Sequence, residues 1–263
     1  MALNSKQSET AKRRRQIPIG FQLWAVRGEF SRNVPGTIRK LGELGYKGVE
    51  FWGYAGTPMV FKNYEASDLR ELLDENGLKC CGMHVELAAL ADDNLERTIE
   101  NNHVLGNKYV TVAAAKENMA DKKAIAKLGS LLNNAAKLCR PHKVVVGYHA
   151  HSFDFDKING RFAWEHLFEQ AEPEVNMQMD VGNCLSGKGD PLAMLKKFPG
   201  RTQTIHLKEH KNHTFDSDLY REVFEICETD SITQWYIVEM GGMLGNGFRI
   251  PKTALAELRR LGK

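Results

Sequence analysis

An eight-stranded α/β barrel, (β/α)8, is the fold class that the sequence predicts, and three observations lead to it. Short runs of β character alternate with longer amphipathic segments along almost the whole chain, the pattern of parallel strands joined by crossover helices. Eight such pairs follow one another with no break in composition, and the chain has 263 residues. That length is close to the ~250 of a typical TIM barrel and is enough to bury one complete core in a single domain. The competing doubly wound sheet usually carries a Gly-rich phosphate loop after its first strand. Ile19-Gly20-Phe21-Gln22-Leu23-Trp24 has none.

In chain order, strands are expected at about 17–24, 46–52, 79–85, 108–114, 143–149, 175–180, 202–207 and 234–239, with ends uncertain by ~2–4 residues. The first helical pattern, 34–44, has Ile38, Leu41 and Leu44 at helical spacing before Gly45. The next, 66–76, opens on the cap region Ser67-Asp68 and stops at Gly77, and 94–105 ends at Gly106. The stretch 121–138 is rich in Ala, Lys and Leu, and 162–171, 191–198, 217–227 and 251–261 complete the set. Proline in a first turn and glycine just past an end are the punctuation helices use.

Composition narrows the function classes. Apolar content of 42% and charged content of 26% are those of an ordinary globular protein. Net charge is +3, and Lys12-Arg13-Arg14-Arg15 supplies part of it, so the remainder is near neutral and nucleic acid is not an expected partner. Residues 1–16 are polar and aperiodic and are expected to be a short, flexible, disordered basic tail, with the barrel over 17–263. A twin-arginine signal would need an apolar stretch, but Ile17-Pro18-Ile19-Gly20 begins a strand instead. The five cysteines are odd in number and form no Cys-x-x-Cys pair. That argues against a disulfide framework or thiolate zinc site and for a reducing, cytoplasmic setting. No apolar run approaches the ~20 residues of a membrane helix, so a membrane partner is not expected.

Chemistry in such barrels sits at the C-terminal ends of the strands. Strand two ends in Glu50-Phe51-Trp52, strand three in His84-Val85-Glu86, and strand five in His149-Ala150-His151. Strand six ends in Gln178-Met179-Asp180, strand seven in His206-Leu207-Lys208, and strand eight in Val238-Glu239. Side chains alternate along a strand, so His149 and His151 share a face, as do Gln178 and Asp180, and His206 and Lys208. A lone strand-end histidine is more often structural, and a lone aspartate often caps the next helix. Their repetition on consecutive strands at one depth points instead to a metal site of His149, Asp180, His206 and Glu239, because buried ionisable groups are costly unless paired or coordinated. Mixed nitrogen and oxygen donors suit Mn, Co, Fe or Zn better than Ca.

The chain also resembles the sugar phosphate isomerase/epimerase group of xylose isomerase-like TIM barrels, over nearly its whole length after residue 16. The resemblance rests on Gly45-Tyr46-Lys47-Gly48-Val49-Glu50, on Gly147-Tyr148-His149-Ala150-His151 with Phe153-Asp154-Phe155, and on Met179-Asp180-Val181-Gly182-Asn183. Ile205-His206-Leu207-Lys208 and Trp235-Tyr236-Ile237-Val238-Glu239 complete it. It implies a carbohydrate substrate, one divalent metal ion (Mn, Co, Fe, Zn or Mg) and no organic cofactor, with Asp180, His206 and Glu239 at the family's ligand positions on the last three strands. Members acting on free ketoses place a glutamate on the middle metal-binding strand, and it pairs with the strand-eight glutamate for proton transfer. This chain has His149 there, which looks like the branch with a His-Asn-His pattern and departs from the two-glutamate mechanism.

The expected activity is therefore that of a metal-dependent sugar isomerase or epimerase, acting through an enediolate stabilised by the metal. Glu239 is the expected ligand and general base. Lys208 is either a donor of a hydrogen bond or charge to a substrate oxygen or the ion-pair partner of Glu209 or another rim carboxylate. His84, Glu50 or His151 supplies the second acid or base, unless His84 orients a ligand. Substrate contacts are expected from Gln22, Trp24, Glu50, Trp52 and Phe153, with Tyr54 beside them, since aromatic faces stack on sugar C–H faces. Phe51 and Trp164 read as core. The run Gly241-Gly242-Met243-Leu244-Gly245-Asn246-Gly247 with Arg249 is either an anion cradle and lid or a flexible loop. Metal-dependent lyase or dehydratase chemistry on a keto-sugar or keto-glycoside is the nearest alternative. A non-catalytic sugar-binding barrel and an endonuclease IV-type nuclease rank lower, the latter because three zinc ions need more ligands than these strands offer. Assembly into a homo-oligomer is left open.

Overall fold

The computed structural model describes residues 16–209, 215–229, 232–240 and 247–263. Eight parallel strands form a nearly closed barrel: β1 (Ile19–Gln22), β2 (Gly48–Tyr54), β3 (Lys79–Val85), β4 (Tyr109–Val112), β5 (Val145–His149), β6 (Asn176–Gln178), β7 (Thr204–Leu207) and β8 (Trp235–Val238). Their order is β6-β5-β4-β3-β2-β1-β8-β7. The ring is completed between β6 and β7 by a parallel bridge of Asp180 with His206, where the His206 N–H donates to Met179 O at 2.8 Å. The Met179 N–H turns back onto Met177 O at 2.9 Å. This bend at Gln178 carries the chain away from β5 and towards β7.

Each expected strand and helix is present, with ends shifted by a few residues. The helices are α1 (Arg27–Arg32), α2 (Val34–Leu44), α3 (Ala66–Glu75), α4 (Asp92–Leu105), α5 (Lys122–Cys139), α6 (Ala163–Gln170), α7 (Val181–Ser186), α8 (Pro191–Lys197), α9 (Ser217–Thr229) and α10 (Arg249–Arg260). Local chemistry explains their limits. The Asn33 side chain accepts from the Gly36 N–H at 2.9 Å to start α2, which ends on Gly45 at φ 104°, a left-handed angle that glycine adopts without a steric penalty. Asp121 Oδ1 accepts from the N–H groups of Lys123 and Ala124, both at 2.8 Å, to start α5. No sequence pattern signals α1, α7 or the small hairpin pairing Lys157–Ile158 with Arg161–Phe162. All three are too short to display a period.

Alternation divides the barrel residues into two sets. One faces outward to the helices: Phe21 lies edge-on to Tyr46 at 5.1 Å, Tyr148 meets Trp164 of α6 at 6.1 Å, and Tyr236 meets Phe224 of α9 at 5.0 Å. Phe51 and Trp164 are fully buried, as their core reading anticipates. The other set faces inward and is polar towards the strands' C-terminal ends: Gln22, Glu50, His84, His149, Gln178 and His206 are all buried. A barrel interior normally holds branched aliphatic layers. So many buried polar groups signal a site.

Candidate metal centre and active site

The four side chains expected as ligands converge. His149 Nε2 lies 3.4 Å from Asp180 Oδ2 and 3.6 Å from Glu239 Oε2. His206 Nδ1 lies 2.9 Å from Glu239 Oε2 and 3.9 Å from Asp180 Oδ2. All four atoms are buried and within 4.8 Å of one another, the spacing of donors that share one ion at ~2.0–2.2 Å. Among the described residues, neither His149 Nε2 nor Asp180 Oδ2 has a hydrogen-bond partner. Such orphaned atoms cost ~1–3 kcal/mol each when buried, and two facing acceptors repel unless a cation stands between them. The donor set of two imidazoles and two carboxylates therefore fits a divalent metal.

A layer beneath the ligands fixes their orientation. His149 Nδ1 is 3.3 Å from Ala113 O, so that nitrogen carries the proton and Nε2 keeps its lone pair. His206 Nε2 donates to Glu50 Oε2 at 2.6 Å, which turns Nδ1 towards Asp180 and Glu239. Glu50 also accepts from Gln22 Nε2 at 2.7 Å and, through Oε1, from Gln178 Nε2 at 2.9 Å. His84 Nε2 donates to Gln178 Oε1 at 2.6 Å and lies 3.2 Å from Glu50 Oε2. A carboxylate behind a ligating histidine raises the basicity of the ring and fixes its tautomer.

Gln22 and Glu50, expected at the substrate, are thus fully buried below the ligands, and neither lines the cavity. The register of β1 with β2 pairs them directly, and the inward face of the barrel hides both. Tyr54 is likewise buried, with its hydroxyl accepting from Asn101 Nδ2 at 3.0 Å. Alternation places Gln178 on the same face as Asp180, yet its bridging of Glu50 and His84 has no signal in the sequence.

Electrostatics follow from this arrangement. Burial alone would lower the His206 pKa, but the Glu50 charge and hydrogen bonds to Glu239 and Glu50 push it up to about 10. Burial alone would raise Glu239, but the His206 hydrogen bond and the Lys208 charge hold it below the usual carboxylate range. Asp180 is pushed up by burial to about 6, against the pull of Lys208. Burial keeps His149 and His84 neutral and lowers His151 to about 4. Without metal, the second proton of His206 sits on Nδ1, in the position a cation would take.

Above the ligands opens a cavity of about 730 Å³. His84, His149, His151 and Glu239 line its base, Trp24 and Trp52 one wall, and residues 113–118 another. Trp24 is 45% exposed and edge-on to Trp52 at 5.7 Å. Phe153 stacks on His151 at 5.2 Å and is not among the cavity's lining residues. Lys208 Nζ points inward, 3.7 Å from Asp180 Oδ2 and 3.9 Å from Glu239 Oε1. Its backbone is pinned at both polar atoms by the Tyr220 hydroxyl, at 2.9 and 2.6 Å. The basic run 12–15 and the glycine-rich stretch 241–246 lie outside the described residues.

Residues 38–261 match the family model described as the xylose isomerase-like TIM barrel. The chain belongs to that family. Xylose isomerase-like barrels include isomerases, epimerases and dehydratases. Among curated proteins, the chain is 25% identical over 138 residues to inosose dehydratase 2 of Bacillus cereus, covering 43% of this chain and 46% of that one. It is 23% identical over 189 residues to inosose dehydratase of Geobacillus kaustophilus, covering 62% and 60%. The matches thus span about half the length of these relatives. Among solved structures it is similar to a sugar phosphate isomerase/epimerase from Parabacteroides distasonis, with a TM-score of 0.79 at 18% identity over 95% of this chain and 96% of that one. That similarity is one of fold. Among the described residues, no helix is long and apolar enough to cross a membrane.

Proposed function

We propose that this xylose isomerase-like barrel is a divalent-metal-dependent isomerase or epimerase acting on a sugar or keto-sugar. The observation that carries the reading is the pair of orphaned buried atoms, His149 Nε2 and Asp180 Oδ2, facing each other beside His206 and Glu239. Held by His149, Asp180, His206 and Glu239, a divalent metal would supply Lewis-acid stabilisation of the negative charge that builds on the substrate's oxygens as a carbon-bound proton is lost. Glu239, with Oε2 turned to the ligand cluster and Oε1 towards Lys208, takes that proton. Lys208 supplies positive charge to a substrate oxygen. His151 and His84, both neutral and both lining the cavity, face the substrate as the second proton carriers. Trp24 and Trp52 hold the sugar's C–H face and exclude water.

Lyase or dehydratase chemistry is the second reading. It is favoured by the two inosose dehydratases among the relatives and by the histidine at residue 149, which leaves Glu239 as the single carboxylate base. One experiment tests both. The protein is loaded with Mn or Co and offered ketoses, keto-sugars and keto-glycosides in deuterated water. Deuterium at the carbon beside the carbonyl in a product of unchanged formula supports isomerisation, and an unsaturated or cleaved product supports elimination. Absence of both, in a chain that holds metal, removes the catalytic reading and leaves a sugar-binding barrel.

A further inference from the structure

Asp154 is a buried carboxyl that the chemistry above does not use. It is fully buried, on the short turn Ser152–Phe155 just beyond the β5 histidines. Its Oδ2 accepts from the His151 backbone N–H at 2.7 Å, and its Oδ1 accepts from the Tyr148 hydroxyl at 3.0 Å. No cation pairs with Asp154 among the described contacts, so both oxygens are committed to holding the chain. Burying a carboxyl for a purely structural tie is expensive.

One tie holds the turn after β5, and the other runs back to Tyr148 on β5, whose neighbour β4 leads into residues 113–118 on the cavity wall. Tyr148 pairs in register with Val112 at the end of β4, and Ala113, the next residue, supplies the carbonyl facing His149 Nδ1. Through the His151 N–H, Asp154 fixes the only cavity-lining side chain of its own turn. The His151 ring is held between Phe153, stacked at 5.2 Å, and His149, edge-on at 4.8 Å, and its Nδ1 is buried without a partner. The backbone tie is what keeps that ring turned to the cavity instead of swinging with the loop.

We propose that Asp154 is a positioning residue: by accepting from the His151 N–H and the Tyr148 hydroxyl together, it locks the turn after β5 onto that strand and presents His151 to the substrate. Its catalytic consequence rests on the reading that His151 faces the substrate, while its structural part does not.

The test uses the full chain and the variants Asp154→Ala, Asp154→Asn and Tyr148→Phe, with His151→Ala as reference. Amide hydrogen exchange is measured first, since it needs no activity. Asp154→Ala is expected to speed exchange at His151, and Tyr148→Phe, which removes one of the carboxyl's two ties, to speed it less. Unchanged protection at His151 in Asp154→Ala overturns the proposal, whatever the enzyme does. Turnover comes second, read as deuterium incorporation. Asp154→Ala is expected to lower kcat by about 10–100-fold, the usual effect of losing an orienting partner, with KM changed less. The near-isosteric Asp154→Asn, which keeps an acceptor for the His151 N–H, recovers most of the loss. In the His151→Ala background, Asp154→Ala is expected to cost less than about threefold, because coupled residues are not additive. Fully additive losses overturn the route through His151. If the unaltered protein shows no turnover, the functional reading fails and the exchange pattern still decides the tie.

Discussion

Glu50 Oε2 lies 2.6 Å from His206 Nε2 across 156 residues of sequence, within a buried lattice that also takes in Gln22, Gln178 and His84. The two residues sit on strands β2 and β7, on opposite sides of the β1–β8 pair. Their bond orders the ring so that its other nitrogen meets Asp180 and Glu239. Glu50 is therefore placed behind the His206 ring and does not line the cavity.

Glu50→Gln should weaken metal binding about 10–100-fold while leaving all four ligands in place. Competition with a chromogenic chelator measures it. Unchanged affinity would mean that the Glu50–His206 bond does not tune the site.

Metal uptake should release protons. His206 without metal is held protonated, its pKa pushed up to about 10, and a cation at Nδ1 must displace that proton. Apparent affinity should therefore rise with pH up to about 10. Calorimetry in buffers of different ionisation enthalpy should count about one proton released per ion at neutral pH, and a count of zero would contradict the assignment of Nδ1.

The same shift sets a stability trend in the chelator-treated protein. A histidine whose folded pKa exceeds its unfolded value of ~6.5 stabilises the fold fully below that value. The contribution fades as pH rises through about 10. Melting temperature of the metal-free chain should fall over that window, and that of the metal-loaded chain should fall less. Parallel curves would disconnect His206 from stability.

Asp180→Asn and His206→Ala should each strip the bound metal, as read by elemental mass spectrometry. Glu239→Gln should retain part of it yet lose about 10²–10⁴-fold in proton exchange. Full turnover in that variant would reassign the base.

Gly82→Ala should damage the site from outside it. A Cβ at residue 82 would collide with Glu50 Oε1, and the buried carboxylate cannot move without breaking its bond to Gln178. Overpacking of this kind costs ~1–3 kcal/mol, so a thermal melt should shift downward together with metal affinity. A loss of affinity without a melting change would place the strain in the ligands alone.

The ring of strands is legible in the sequence because period-two runs and helix punctuation are local signals. His149, Asp180, His206 and Glu239 are legible because each ends a strand, and strand ends share one face. Glu50 and Gln22 are visible as strand-end polar groups, but their depth is not. Depth depends on the stagger of β1 against β2, which is set by packing around the whole ring. Gln178 and Asp154 are harder still. Their value lies in bonds to residues on other strands or loops, and nothing local distinguishes them from a surface amide or a helix-capping carboxyl.

The joint between β6 and β7 has a final consequence. The ring is fastened there by residues adjacent to or within the ligand set, with Met179 O holding His206 N–H and Asp180 bridged to His206. An ion held by Asp180 and His206 would be a clasp on the seam that an isolated bridge closes. Prising the seam apart separates two of the four grips at once, so breathing of the barrel and escape of the ion become a single event.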